Sequence, residues 1–382
     1  MAAPEPDVAL SPTHAGLRRD GEKADAAGVR CERTLRRVAN TLPLSQTEVK
    51  SEIATDLGPG PARRTGSKQR PAGTGSAAAA SGIRSTIGLA SRVRKRASLV
   101  LISCRAMDGR MVEGVAVHES GDPAEPGILL WPGLGSSGAY FSAVGALLPG
   151  RAVAADPPGF GSSPLLHPYA YQGLVELAGV VVGECNCHVM LGHSLGADIA
   201  LGVAAEPPAG LRAVVLVDGG YMGAATRAEL GLPTTASRGE LVAWLGENSL
   251  RFADWDAAVR DLAAMCNAEP SPVIEAYARE VLTEVDGEVC AATPPERVAD
   301  LLQAVVHQDF GALAQRVAVP TLLIACGQPP EHRVHKEQAW QAFANASPLI
   351  ELHVAEEWSH NPLLQDPEAS ASVIADWLRT HL

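Results

Sequence analysis

The segment Gly192-His193-Ser194-Leu195-Gly196 has the residue types and spacing for nucleophilic catalysis. An apolar run typical of a buried strand precedes it, and an Ala- and Leu-rich stretch that predicts a helix follows it. Two glycines allow a strand and a helix to meet in a tight turn that exposes the intervening serine side chain. The pattern therefore predicts that Ser194 is a nucleophile, whose hydroxyl could attack a carbonyl carbon if a neighbouring base accepts its proton.

The elements that must position this serine alternate between short apolar runs and helical stretches. Predicted strands cover 112–118, 127–131, 151–155, 188–192, 213–217, 321–325 and 349–354. Predicted helices between them include 140–148, 174–182 and 195–205. This alternation predicts the α/β class, in which helices cover both faces of a mostly parallel sheet.

One connection in this pattern is much longer than the others. Between Gly219 and Val319 lie roughly a hundred residues with helical periodicity and no convincing strand. The predicted helices there are 238–245, 254–266, 272–285 and 295–306. We expect this insertion, at about 220–318, to form a helical cap over the carboxyl edge of the sheet, where open α/β sheets bind ligands.

Four motifs, in this order along the chain, resemble those of the α/β-hydrolase fold superfamily. They are Trp131-Pro132-Gly133-Leu134-Gly135, Asp156-Pro157-Pro158-Gly159-Phe160-Gly161-Ser162-Ser163, the serine turn, and Glu357-Trp358-Ser359-His360-Asn361-Pro362. The resemblance covers residues 105–382, about three quarters of the chain. It implies the α/β-hydrolase fold, a helical cap inserted after the sixth strand, and a serine hydrolase that needs no cofactor.

The resemblance also implies roles for individual residues. His360 lies in the loop that carries the family's general base, which must present an imidazole to the serine. Pro132 stands where the family usually has a histidine, but the oxyanion hole needs only backbone N–H groups. We assign those donors to Leu134 and Leu195, because two fixed donors can stabilise the oxyanion that forms when a carbonyl is attacked.

The acid that orients His360 departs from the family pattern. The commonest acid lies in a turn reading Gly-x-x-Asp after the seventh strand, and here that turn reads Gly327-Gln328-Pro329-Pro330-Glu331. Asp218, at the end of the predicted strand 213–217, is the preferred candidate, since some α/β-hydrolases place the carboxylate there. Glu331 is the alternative acid. Either carboxylate would fix the tautomer of His360 and stabilise its protonated form.

Trp131 and Tyr221 flank the positions where a substrate would lie, so they are the first candidates for substrate contacts. We predict no metal and no cofactor, because the sequence contains no His-Glu-x-x-His segment, no paired Cys-x-x-Cys and no phosphate-binding loop. Seven cysteines at irregular spacing predict free thiols rather than a disulfide framework.

Charge divides the chain into two parts. Residues 1–104 carry 17 Lys and Arg against 9 Asp and Glu, whereas the remainder carries 14 against 34. The first part has few large apolar residues, which predicts a disordered or loosely structured basic extension. The acidic second part argues against a nucleic-acid partner, because phosphate binding needs concentrated cations. No run of eighteen apolar residues predicts a membrane helix, so a membrane partner is not expected.

The leading hypothesis is a cofactor-independent serine hydrolase that acts on a small-molecule acyl substrate, with a carboxylic ester as the default. The alternative is a non-hydrolytic protein of the same fold, a ligand-binding or tailoring protein, which the proline in the usual place of the acid motivates. Reduced thiols and the absence of a signal sequence favour the cytoplasm. Organelle import and a wrongly assigned start are the alternatives, and nothing in the sequence indicates an oligomeric state.

Overall fold

The computed structural model describes residues 109–166 and 169–382. The basic extension predicted for residues 1–104 lies outside the described residues, as do residues 105–108 of the predicted hydrolase region. Everything reported below concerns the described part of the chain.

The described chain has eleven strands, eight of which form the sheet at the centre of the fold. The strands are β1 (Gly109–Val112), β2 (Val115–Ser120), β3 (Gly127–Trp131), β4 (Arg151–Asp156), β5 (Cys187–His193), β6 (Ala213–Val217), β7 (Arg251–Phe252), β8 (Leu282–Val285), β9 (Glu288–Ala291), β10 (Thr321–Cys326) and β11 (Ile350–Ala355). The large sheet has the order β1-β2-β4-β3-β5-β6-β10-β11. Strands β3 to β6, β10 and β11 run parallel, and the β1–β2 hairpin joins β4 antiparallel. The predicted mostly parallel sheet is confirmed.

Helices cover both faces of this sheet and fill the long connection. They are a 3-10 helix (Gly138–Phe141), α1 (Ser142–Gly145), α2 (Tyr171–Glu184), α3 (Leu195–Ala205), α4 (Ala224–Glu229), α5 (Arg238–Glu247), α6 (Trp255–Met265), α7 (Pro272–Val281), α8 (Pro295–Val306), α9 (Phe310–Ala314), α10 (Pro330–Ala344), α11 (Pro362–Gln365) and α12 (Pro367–His381).

Alternate residues of the buried strands divide between two hydrophobic cores. Leu129 and Trp131 of β3 pack into the core that contains α2, α3 and α10, whereas Ile128 and Leu130 pack into the core that contains α1 and α12. Successive side chains of a strand point to opposite faces, so a strand covered on both faces must be apolar throughout. This requirement explains why the uninterrupted apolar runs at 127–131 and 213–217 form central strands.

The predicted first strand, 112–118, is interrupted by the turn of a hairpin, and its residues 115–118 lie in β2. Glu113 and Gly114 have φ of 48° and 84°, and they connect β1 to β2 as a two-residue loop. Two consecutive positive φ values are typical of the turns that join antiparallel strands directly. Apolar residues stand directly on both sides of this short turn, at Val112 and Val115, and for this reason the sequence pattern alone predicts one strand.

The segment between β6 and β10 contains six helices, α4 to α9, and also the three-stranded antiparallel sheet β7-β9-β8. The prediction that it is wholly helical is therefore wrong: the predicted helix 272–285 ends at Val281, and β8 follows. Asp286 and Gly287, with φ of 52° and 83°, form the two-residue turn between β8 and β9. This sheet packs with α6 and α7 into a small core of its own, which includes Phe252, Leu262 and Ile274.

Two further predictions concern the same described ranges. The five cysteines in them, Cys185, Cys187, Cys266, Cys290 and Cys326, are free, as the irregular spacing predicts. Within these ranges we find no helix that is both long enough and apolar enough to cross a membrane.

Candidate active site

Ser194 occupies a strained turn between β5 and α3. Its φ is 55° and its ψ is −123°, a conformation that L residues rarely adopt. A side chain at Gly192 would place its Cβ 2.3 Å from the Gly196 carbonyl oxygen, and one at Gly196 would place it 2.2 Å from the Trp131 carbonyl oxygen. Both glycines are therefore required by close backbone contacts. The Ser194 N–H donates to the Val217 carbonyl at 2.9 Å, which holds the turn against the end of β6.

The side chains of Ser194, His360 and Asp218 form a continuous chain of hydrogen bonds. His360 Nε2 lies 2.9 Å from Ser194 Oγ, and His360 Nδ1 lies 2.7 Å from Asp218 Oδ2. The acceptor at Nδ1 is a carboxylate, so Nδ1 carries the proton and Nε2 is left to accept one from the serine. His360 comes from the loop after β11 and Asp218 directly follows β6, and both therefore lie at the carboxyl edge of the parallel strands.

Asp218 is completely buried and accepts four hydrogen bonds. Its Oδ1 receives the Tyr221 hydroxyl at 2.9 Å and the Cys326 backbone N–H at 3.1 Å. Its Oδ2 receives His360 and also the Lys336 ammonium, the latter at 2.8 Å. Burial by itself would raise the pKa of Asp218, but the charge of Lys336 and the hydrogen bonds from His360 and Lys336 outweigh it and hold that pKa well below its usual range. Asp218 is therefore ionised at neutral pH.

Glu331, the alternative acid, does not reach the histidine. It is exposed in the first turn of α10, and the bond to His360 Nδ1 is made by Asp218 instead. Pro330 starts this helix, so Glu331 belongs to the helix rather than to a loop that extends toward the site. Of the two carboxylates that the sequence leaves open, Asp218 is the one in contact with His360.

The loop after β3 passes directly beside Ser194. A Cβ built on Gly133 would lie 2.9 Å from Ser194 Cβ, so the backbone of Gly133, which Leu134 follows, lies within contact of the serine turn. Leu195 is the first residue of α3, and its N–H therefore has no acceptor inside the helix. These positions are compatible with the two N–H donors expected at Leu134 and Leu195, whose role in an oxyanion hole stays a prediction.

The side chains of Trp131 and Tyr221 are both buried. The Trp131 side chain is 1% exposed and lies in the core with Leu129, because alternate residues of β3 point into that face. Tyr221 is also buried, and its hydroxyl donates to Asp218. Tyr221 thus contacts the acid, and the prediction that these two side chains bind substrate is not supported.

His193 is a residue of the site that the motif contains but sequence reasoning passed over. It is buried, its ring stacks on Tyr140 with centroids 4.4 Å apart, and its Nε2 donates to the His360 carbonyl at 2.7 Å. Burial, together with the neighbouring His360, lowers the pKa of His193 to about 3. A neutral His193 therefore anchors the backbone of the loop that carries His360.

The inserted segment contacts both loops of the site. The Tyr277 hydroxyl on α7 lies 3.1 Å from Ser136 Oγ in the loop after β3. The Ser359 hydroxyl, next to His360, donates to the Cys266 carbonyl at 3.0 Å. Even so, Ser194 is only half-buried and the His360 side chain is 46% exposed, so the reacting atoms can be reached from solvent. Nowhere in ranges 109–166 and 169–382 do three His, Cys, Asp or Glu side chains cluster as metal ligands would.

Comparisons with known proteins agree with this fold. The family model described as the alpha/beta hydrolase family matches residues 128–373. The match spans more than half of the chain, and the chain therefore belongs to the alpha/beta hydrolase family. No curated relative matches this sequence.

Solved structures of hydrolases superpose on most of the described chain. The M. tuberculosis esterase Rv0045c is 20% identical with a TM-score of 0.56, covering 72% of this chain and 91% of its own. E-2-(acetamidomethylene)succinate hydrolase is 20% identical with a TM-score of 0.57, covering 72% of this chain and 99% of its own. The thioesterase domain from the curacin biosynthetic pathway is 20% identical with a TM-score of 0.53, covering 70% and 99%. At this identity the likeness is one of fold.

Proposed function

We propose that this protein is a serine hydrolase that cleaves a carboxylic ester, or a related acyl compound, through a covalent acyl-enzyme. The observation that carries the proposal is the unbroken chain of hydrogen bonds from Ser194 Oγ through His360 to Asp218 Oδ2, with bonds of 2.9 and 2.7 Å. With Asp218 in contact with His360, the proline at position 330 no longer argues for a non-hydrolytic ligand-binding or tailoring protein.

In the first half of the reaction, Ser194 Oγ attacks the carbonyl carbon of the ester while its proton passes to His360 Nε2. The carbonyl oxygen becomes an oxyanion, which the backbone N–H groups of Leu134 and Leu195 would stabilise. The bond to the leaving alcohol breaks, and the alcohol takes the proton from His360. Asp218 stabilises the imidazolium throughout this step.

In the second half, water replaces the alcohol. His360 accepts a proton from the water, whose oxygen attacks the acyl carbon, and the same proton then returns to Ser194 Oγ as the acid product leaves. The half-buried Ser194 and the exposed part of His360 allow small esters to approach. Esters and thioesters are the first substrates to test, because the similar solved structures include an esterase and a thioesterase domain.

The proposal is tested by labelling the protein with a fluorophosphonate probe and by measuring hydrolysis of p-nitrophenyl acetate. We expect wild type to label and turn over, and Ser194→Ala to lose labelling and about 10^4-fold or more of kcat. Ser162→Ala, at an exposed serine in another loop, is the matched control and should behave as wild type. A folded wild-type protein that neither labels nor hydrolyses any ester or thioester would contradict the proposal.

A further inference from the structure

Lys336 is a buried lysine whose ammonium group lies against the carboxylate of Asp218. Lys336 is only 4% exposed, although it lies on α10, whose other charged residues face solvent or the surface. Its Nζ donates to Asp218 Oδ2 at 2.8 Å and to the Cys326 carbonyl at 2.9 Å. Lysines are almost never fully buried unless they are paired. The ion pair with Asp218 is the partner that makes this burial possible.

The same carboxylate oxygen also receives the imidazole of His360. The bond from His360 Nδ1 to Asp218 Oδ2 is 2.7 Å long, so the lysine and histidine nitrogens that share this oxygen lie at most about 5.5 Å apart. The lysine charge therefore acts on the imidazole at short range. Asp218 and Lys336 are both buried, so little water lies between the two charges.

We propose that Lys336 is a positioning residue of the site, which holds the Asp218 carboxylate in place and offsets part of the negative charge that Asp218 presents to His360. This inference rests on the proposed function, because it assumes that Ser194, His360 and Asp218 form the catalytic triad.

The physical reason is the sign of the charge. A negative carboxylate beside an imidazole favours the protonated form, which cannot accept a proton from Ser194. Lys336 cancels part of that field, so removing its charge should favour the protonated imidazole. The corresponding cost is a weaker stabilisation of the imidazolium that forms during the reaction.

Other titratable groups face this cluster from every neighbouring element. They are Tyr221 after β6, Cys326 at the end of β10, His193 on β5, Tyr140 on the 3-10 helix, His332 on α10 and, through α3, Asp198. Asp198 is itself paired with Arg227 at 2.6 Å. In the described part of the chain, two side chains form ion pairs with Asp218, namely His360 and Lys336. Lys336 is the one that is not part of the triad.

The test is the pH dependence of kcat/KM for p-nitrophenyl acetate and of the rate of inactivation by a fluorophosphonate, both of which report the free enzyme. For Lys336→Met we expect the acidic limb of both profiles to move to higher pH by about two units. That shift corresponds to loss of a unit charge about 5.5 Å away through an effective dielectric constant of about 20. A merely structural lysine would change the height of the profile and leave this limb in place.

Three further variants make the result specific. Lys336→Gln is likewise uncharged but can still donate a hydrogen bond, and it should show the same shift. Lys336→Arg keeps the charge and should stay within about half a unit of wild type. Arg333→Met removes a cation from the same helix one turn earlier, where Arg333 is paired with Glu356 away from the triad, and should not move the limb.

An unmoved limb in both Lys336→Met and Lys336→Gln would overturn the inference, as would an equal shift in Arg333→Met. If neither uncharged variant folds, the lysine serves folding rather than the pH response, and the inference is also overturned. A wild-type protein that shows no serine-dependent labelling or hydrolysis is a different outcome, since it contradicts the proposed function itself.

Discussion

Replacing Asp218 by asparagine is the sharpest perturbation of the site, because it removes one charge and changes almost no volume. All four groups that surround the carboxylate are donors: His360 and Lys336 at Oδ2, and Tyr221 and the Cys326 N–H at Oδ1. The NH2 group of an asparagine would face donors at either position. If the NH2 group takes the place of Oδ1, it faces the Tyr221 hydroxyl, which can rotate and accept a hydrogen bond. We therefore expect this orientation, in which the amide oxygen takes the place of Oδ2 and still accepts from His360 Nδ1.

In that orientation the tautomer of His360 is preserved, and the loss of activity measures the missing charge. The bond from His360 Nδ1 to Asp218 Oδ2 is 2.7 Å, which puts the centres of the two charges about 4 Å apart. At an effective dielectric constant of about 20 the attraction is about 4 kcal/mol. Because about 1.4 kcal/mol corresponds to a factor of ten in rate, Asp218→Asn should lose about 10^3-fold in kcat/KM.

The same substitution leaves the buried Lys336 without its counter-ion. Removing one partner of a buried ion pair typically costs about 3–5 kcal/mol of stability. Asp218→Asn should therefore also unfold at lower urea concentration than wild type. The double variant Asp218→Asn with Lys336→Met removes the stranded charge, so it should regain part of the stability while activity stays low.

Activity is measured as kcat/KM for p-nitrophenyl acetate, and stability as the midpoint of urea unfolding, for wild type and each variant. Glu331→Gln is the matched control, since it neutralises the other candidate acid at an exposed position. The reasoning is refuted if Asp218→Asn retains activity within tenfold of wild type, or if Glu331→Gln is the inactive variant. If the double variant is no more stable than the single one, the ion pair does not act as described.

Two other substitutions test the turn and its neighbour. Gly196→Ala would bring a Cβ to 2.2 Å from the Trp131 carbonyl oxygen, and it should abolish fluorophosphonate labelling even where circular dichroism shows a folded protein. His193 is neutral in the folded state because its pKa is lowered to about 3, whereas the unfolded state takes up a proton near 6.5. Its contribution to stability is therefore present above pH 6.5 and lost as pH falls. Between pH 6.5 and 5, wild type should lose about 1.6 kcal/mol more unfolding free energy than His193→Gln, measured with urea.

Each of these expectations has a control and a result that contradicts it. Gly173→Ala, at a helical glycine with open space around its Cα, should label as wild type, and a Gly196→Ala protein that labels equally well would contradict the close contact at the turn. For the pH series, His188→Gln is the control because His188 lies on the same strand with partial exposure. Equal pH dependence in wild type and His193→Gln would mean that His193 is not held neutral.

The sheet could be predicted closely where burial leaves the sequence no freedom. Strands covered by helices on both faces must be apolar at every position, so β3 and β6 have the predicted bounds. The errors lie at Glu113-Gly114 and Asp286-Gly287, where two consecutive residues adopt positive φ and reverse the chain. Both are two-residue turns of a kind that joins antiparallel strands. The apolar residues on either side of each turn outweigh this short signal when the sequence is interpreted.

The contact between Ser194 and His360 was predictable because both residues lie in local motifs, whereas their partners depend on contacts between distant segments. Asp218 and His360 are 142 positions apart, and only the fold decides that this carboxylate, rather than Glu331, reaches the imidazole. Lys336 lies on a helix with many polar residues, where a lysine is typical of a solvent-facing position. Trp131 shows the opposite error: it precedes the loop that lies beside Ser194, yet its side chain points into the core.

The changes at the acid and at α10 are connected through the structure. Where the family's usual acid would lie, Pro330 starts α10 instead. Lys336 lies six residues further along the same helix, and its ammonium group donates to Asp218. The segment that lacks the usual anion thus carries a cation, and the acid at the end of β6 receives it. An acid at position 330 together with an unpaired Asp218 would leave two carboxylates competing for His360. The observed arrangement instead leaves one carboxylate, fully buried and ionised, with its charge balanced by Lys336 and its second oxygen held by Tyr221 and Cys326.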